Sequence, residues 1–234
     1  MRAGDVQTQL KMLGSKERAD IAQRFFKTGP GEYGEGDKFL GIRVPDIRRL
    51  VAAYQDIPMK EVKQLLKSAV HEERLFALLV LVRKYSKGSE SDKKQIYNLY
   101  LRSTKYINSW DLVDVSAEHI VGAYLVGKST ETLDTLAKSG NLWERRISIM
   151  STYHFIKRGD FTHTVRIAGM LLSDEEDLIH KAVGWMLREI GKRHLKTEEG
   201  FLKKNYRKMP RTMLRYAIEK FPEAKRQRYL RGKI

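Results

Sequence analysis

The chain has 234 residues, no cysteine, and 45 Lys and Arg against 29 Asp and Glu, a net charge of +16. That length builds a proper core as one large domain or two small ones, and the missing cysteine excludes disulfides, thiolate zinc sites, iron–sulfur clusters and thiol catalysis. No run of about 18 apolar residues and no charged-then-apolar leader is found, so a cytoplasmic protein without a membrane partner is expected, and the positive excess makes nucleic acid the first candidate partner.

Helical periodicity runs through nearly every segment, with almost no strand alternation. The spacing predicts helices near 4–13, 15–27, 45–54, 58–68, 71–86, 91–103, 109–126, 129–139, 142–158, 160–172, 175–194, 197–206, 210–219 and 222–231. Pro45, Pro58, Pro210 and Pro222 fall where helices begin, as a residue lacking an amide donor should. Short links between such helices force antiparallel neighbours. Three segments vary one unit, His71–Tyr85, Leu142–Ile156 and Asp177–Ile190, spaced by about 70 and then about 35 residues. Each opens polar, carries an early basic residue and then runs apolar. The expectation is all-α: a curved α-solenoid of HEAT-like repeats, one domain over residues 1–234.

One connection departs from the pattern. Between Thr28 and Lys38 lie Gly29, Pro30, Gly31, Gly34 and Gly36, a composition expected to give a flexible linker or a small hairpin. No Gly-Lys-Ser/Thr signature follows it, so phosphate cradling is rejected.

The stretch Asn108–Gly122 concentrates candidate chemistry. It reads as a helix capped by Asn108 with Asp111 returning the contact. Trp110 and Asp114 then stand four residues apart on one face. Acids in a first turn answer the helix dipole, which accounts for Asp111 better than for Asp114. The other tryptophans, Trp143 and Trp185, also fall early in their helices; Trp143 reads as core filling. Arg145, Arg146 and Arg188 accompany them. From Lys192 to the end there are 15 Lys or Arg against 4 Glu. Lys203, Lys204, Arg207, Lys208, Arg211 and Arg215, interleaved with Tyr206 and Tyr216, suit a phosphate-tracking surface. The six histidines are scattered, none pairs with a carboxylate at metal spacing, and no nucleophile elbow occurs.

Phe39–Arg49, Ser109-Trp-Asp-Leu-Val-Asp114, Leu142-Trp-Glu-Arg-Arg146 and Lys181–Glu189, in that order, resemble the AlkD-type DNA alkylation repair proteins, the HEAT-like alkylpurine DNA glycosylases. The resemblance spans roughly residues 15 to 220. It implies excision of cationic N3- and N7-alkylated purines from double-stranded DNA by a monofunctional, cofactor-free glycosylase. It implies catalysis by Asp114, with Trp110 and Trp185 packed against the lesion nucleotide and Arg146, Arg188 and Arg43 contacting DNA. Two departures stand out. Ser109 replaces the first tryptophan of the family's Ser-Trp-Trp-Asp, and segment 28–38 is longer than in the AlkD-type glycosylases. Relatives with an insert there bind branched DNA without excising bases, and this non-catalytic role is the alternative expectation. A monomer near the nucleoid serves either role.

Overall fold

The computed structural model describes residues 1–234 and is all-helical; its nearest approach to a strand is one isolated parallel bridge between Lys38 and Val70. The chain divides into two compact units, Met1–Ser116 and Ala117–Ile234. No helix is long and apolar enough to cross a membrane.

The first unit contains α1 (Ala3–Leu13), α2 (Lys16–Phe25), α3 (Val44–Ala53), α4 (Met59–Leu66), α5 (His71–Lys87), α6 (Glu90–Arg102) and the short α7 (Trp110–Asp114). Helix α5 is its axis. Every residue from His71 to Leu81 is buried, because α1, α3, α4, α6 and α7 all pack against it. Such a helix is apolar along its length, except where polar groups find fixed partners. Those exceptions fill its first turn. Glu72 accepts the amides of Leu40, Gly41 and Ile42 at 2.8–3.2 Å, and Glu73 accepts the Gln7 amide at 2.8 Å. Gly41, at φ 74°, sits directly on the Ser15 carbonyl and Ala19 amide of α2, where a Cβ has no room.

The segment 28–38 forms neither a hairpin nor a loose linker. It is a turn-rich loop whose end is fastened to α5: Lys38 donates to the Ala69 carbonyl, and the His71 amide donates to the Lys38 carbonyl at 2.8 Å.

The second unit holds a one-turn π-helix at Glu118–Gly122, then α8 (Glu131–Ala137), α9 (Leu142–Ser151), α10 (Tyr153–Ile156), α11 (Thr162–Met170), α12 (Asp177–Gly191), α13 (Leu195–Asn205), α14 (Arg211–Ala217) and α15 (Glu223–Leu230). Helix α12 is the axis here, packed by α9, α11, α13 and α14. Gly184 lets α14 approach, since its missing Cβ would strike the Met213 carbonyl and Tyr216 Cβ. Two helices expected to be continuous are broken. The stretch 109–126 ends as α-helix at Asp114 and resumes as π-helix at Glu118, where Gly122 lies against the Ser151 carbonyl. The stretch 142–158 breaks at Thr152, whose hydroxyl donates to the Ile149 carbonyl at 2.6 Å, a local bond that competes with the helical ladder.

Candidate active site

Helix α7 carries both Trp110 and Asp114, each half-buried. Five residues are too few for a helix to stand on propensity, so its pose is imposed from outside. The expected cap is not the means. Ser109, not Asn108, is the N-cap, and no side chain caps the helix. Instead the Asn108 side-chain oxygen accepts from Arg74 at 3.0 Å. The Asp111 carboxylate accepts from the Ser109 hydroxyl at 2.7 Å and lies 2.8 Å from His71 Nε2.

The far side of His71 is equally occupied. Its Nδ1 is 3.1 Å from Asp37 Oδ2, and Asp37 Oδ1 accepts from Arg74 at 2.6 Å. With a carboxylate on each nitrogen, the ring satisfies both only as an imidazolium. Burial opposes that charge, but the hydrogen bonds to Asp111 and Asp37 outweigh it and raise the pKa to about 9. Asp37 is also buried, which works against its ionisation, yet His71 and Arg74 hold it below the usual carboxylate range. Sequence reading missed this relay. No motif signals it, because its members come from three elements at positions 37, 71, 74 and 111.

An aromatic stack runs alongside. Phe26 lies between Trp110 (5.2 Å, 19°) and Phe39 (5.0 Å, 18°), and Phe39 stacks on the His71 ring at 4.4 Å. Phe25, 63% exposed, meets the edge of Trp110 at 6.0 Å. At the other end of α7, Asp114 lies close enough to Tyr100 to act on it. Burial pushes the Tyr100 phenol up and the Asp114 charge adds to that, while a hydrogen bond to Ser116 at 2.9 Å works the other way.

The remaining sequence-derived residues have different settings. Arg43 is exposed and pairs with Asp46 at 3.1 Å. In the second unit Trp185 is half-buried, 6.3 Å from the Tyr153 ring, and Lys157 Nζ stands 4.4 Å over that same ring. Arg188 pairs with Glu219. Arg146 is only 4% exposed and donates to the Leu178 carbonyl at 2.5 Å, so it ties α9 to α12. Trp143 is buried, as expected of a core residue. Among the interleaved aromatics, Tyr216 is exposed. Tyr206 is buried, its hydroxyl donating to the Gly232 and Ile234 carbonyls, so it lies inside the basic surface rather than on it. Lys203, Lys204, Arg207, Lys208, Arg211 and Arg215 are all exposed. No group of three or more His, Cys, Asp or Glu is arranged to hold a metal.

No curated protein matches the chain. A solved structure described as a predicted DNA alkylation repair enzyme from Enterococcus faecalis shares 17% identity, with 90% of this chain and 97% of that one covered at a TM-score of 0.68, which establishes a common fold. The family model for DNA alkylation repair enzymes matches residues 6–221, across both α5 and α12 and the whole of α7, and the chain therefore belongs to the DNA alkylation repair enzyme family.

Proposed function

We propose that this chain is a monofunctional DNA glycosylase that hydrolyses the N-glycosidic bond of cationic N3- and N7-alkylated purines. The observation that carries the reading is α7 itself. It is a five-residue helix, anchored through Asp111 and stacked through Trp110, that carries a second, half-buried carboxylate, Asp114, at its other end.

An N3- or N7-alkylated purine already carries a positive charge, so it departs as a neutral base without protonation. As the C1′–N bond breaks, positive charge moves onto the sugar. A carboxylate facing C1′ is worth most at that moment, since it stabilises charge that exists only in the transition state. Asp114 supplies that carboxylate and orients the water whose oxygen bonds to C1′; the displaced proton passes to Asp114 or to solvent. Trp110 and Trp185 pack against the lesion nucleotide. Arg188 and Arg43 serve the phosphates, as do the exposed lysines and arginines of α13 and α14, while Arg146 acts from behind by fixing α9 on α12. The proposed chemistry runs through a carboxylate and water rather than a lysine Schiff base, so strand cleavage is not expected. The protein works as a monomer near the nucleoid, without a cofactor.

The test is release of 7-methylguanine and 3-methyladenine from methylated duplex DNA. Wild type releases both; Asp114→Asn releases neither, with DNA affinity changed by less than about twofold, because a neutral isostere keeps the shape and removes the charge. Equal release by Asp114→Asn removes the mechanism. No release by wild type, together with tight salt-sensitive binding to branched DNA, replaces it with the non-catalytic role.

A further inference from the structure

We propose that His71 is the positioning residue of this site: clamped as an imidazolium between Asp37 and Asp111, it sets the pose of α7 and so of Trp110. The inference deepens the glycosylase reading and rests on it for its catalytic consequence, though not for its structural one.

Three observations converge on His71. It touches both the end of the glycine-rich segment, through Asp37 and the Phe39 ring, and α7, through Asp111. It is 2% exposed, so water cannot replace a missing partner. And α7 has no cap of its own. The groups facing His71 are Asp37 from the loop, Arg74 one turn along α5, Asp111 from α7, and the rings of Phe26 and Phe39.

The two carboxylates are not equivalent. The Asp37 side chain is 6% exposed and keeps its bond to Arg74 whatever His71 does. The Asp111 side chain is 17% exposed and can turn toward water. When the ring loses a proton it therefore loses it from Nε2. A lone pair then faces the Asp111 carboxylate, and the repulsion releases the first turn of α7, with Trp110 beside it. The glycine-rich segment acquires a role in this scheme. Its glycines let the chain fold back tightly enough to deliver Asp37 to α5, so the insert completes the clamp and Asp111 is held from behind.

The experiment uses the full chain labelled with 5-fluorotryptophan, with Trp110→Phe identifying one of the three fluorine resonances. In wild type the Trp110 resonance shifts with a midpoint near pH 9, the value His71 is held at. His71→Gln abolishes that transition, whereas any tyrosine or lysine titrating nearby leaves it in place. Asp111→Asn moves the midpoint down by about one unit or more, because one of the two favourable charges is gone. A Trp110 resonance that ignores pH, or titrates identically in His71→Gln, overturns the proposal. If His71→Gln does not fold, Asp111→Asn decides, and an unchanged midpoint there is equally fatal.

Single-turnover excision reads the catalytic side. Wild type loses rate as pH rises through about 9; His71→Gln lacks that limb and is slower at neutral pH by about 10- to 100-fold, the usual effect of a small misplacement. DNA affinity moves less than about twofold, since the phosphate-binding side chains are untouched. Excision by His71→Gln with the wild-type rate and profile overturns the proposal. Absence of excision in the wild type itself counts against the glycosylase reading alone, since the fluorine titration judges the pose of α7 without it.

Discussion

At the scale of single residues, the site shows how similar side chains diverge by placement. Asp111 and Asp114 are three positions apart on five residues of helix. One is bound to His71 and Ser109, and the other stands next to Tyr100. The sequence could separate them only weakly, by their distance from the helix start. Arg146 makes the same point among the basic residues. The resemblance implies a DNA contact there, yet the side chain is nearly buried and bound to the Leu178 carbonyl. An arginine devoted to phosphates would cost binding alone when removed. Arg146→Met is expected to lower stability by about 1–3 kcal/mol, the cost of breaking a charged hydrogen bond inside a packed interface, and thermal unfolding of the variant beside Arg188→Met measures it. An unchanged melting temperature would assign Arg146 wholly to the ligand.

At the scale of elements, α5 and α12 act as axes, and each tolerates polar groups only where a partner is fixed. The contact between α12 and α13 contains an exception. Glu198 is 2% exposed, lies against Gly191, where any Cβ would collide with its carboxylate, and leaves one oxygen without a partner. Burial, reinforced by the Glu199 charge, raises its pKa to about 8, against the opposing pull of Lys225 and Arg188. A carboxyl whose folded pKa lies above its unfolded value of 4.5 binds more protons in the native state. Its neutral form is therefore tolerated below about 4.5, and stability is lost as pH rises from there through about 8. Glu198→Gln, which keeps the shape and cannot ionise, is expected to unfold at a higher temperature than wild type near pH ~8.5 and at nearly the same temperature near pH ~5. A parallel pH dependence in both proteins would sink this account of Glu198.

At the scale of the whole molecule, the net charge of +16 draws heavily on the C-terminal end of the chain. The exposed basic residues of α13 and α14 are expected to make DNA affinity fall steeply with salt, each phosphate contact contributing a slope of roughly −0.9 in log K against log salt. Replacing Lys203 and Arg207 together by Gln should flatten that slope by about one unit for every phosphate no longer neutralised, with no change of base preference. Titrations across a range of salt concentrations check this. A slope equal to the wild-type value would move the DNA path away from α13.

Periodicity, proline placement and charge were enough to read the all-helical repeat fold, most helix positions and a polyanionic partner, because each is a local or summed property of the chain. The motif around Trp110 and Asp114 was legible for the same reason: its spacing lies within about one helical turn. What only the tertiary structure decided is everything made across distance. Asp37, His71 and Asp111 become one relay because α5, α7 and the glycine-rich segment meet at a buried point, where two carboxylates force the ring between them to keep both protons. The stretch 109–126 is interrupted after Asp114, and Gly122 in the π-helical turn beyond lies against the Ser151 carbonyl where a Cβ has no room; segment 28–38 is fastened because its end bonds to the backbone before α5. Sequence supplies the donors and acceptors, but desolvation, which makes each pairing obligatory, exists only once the chain is packed.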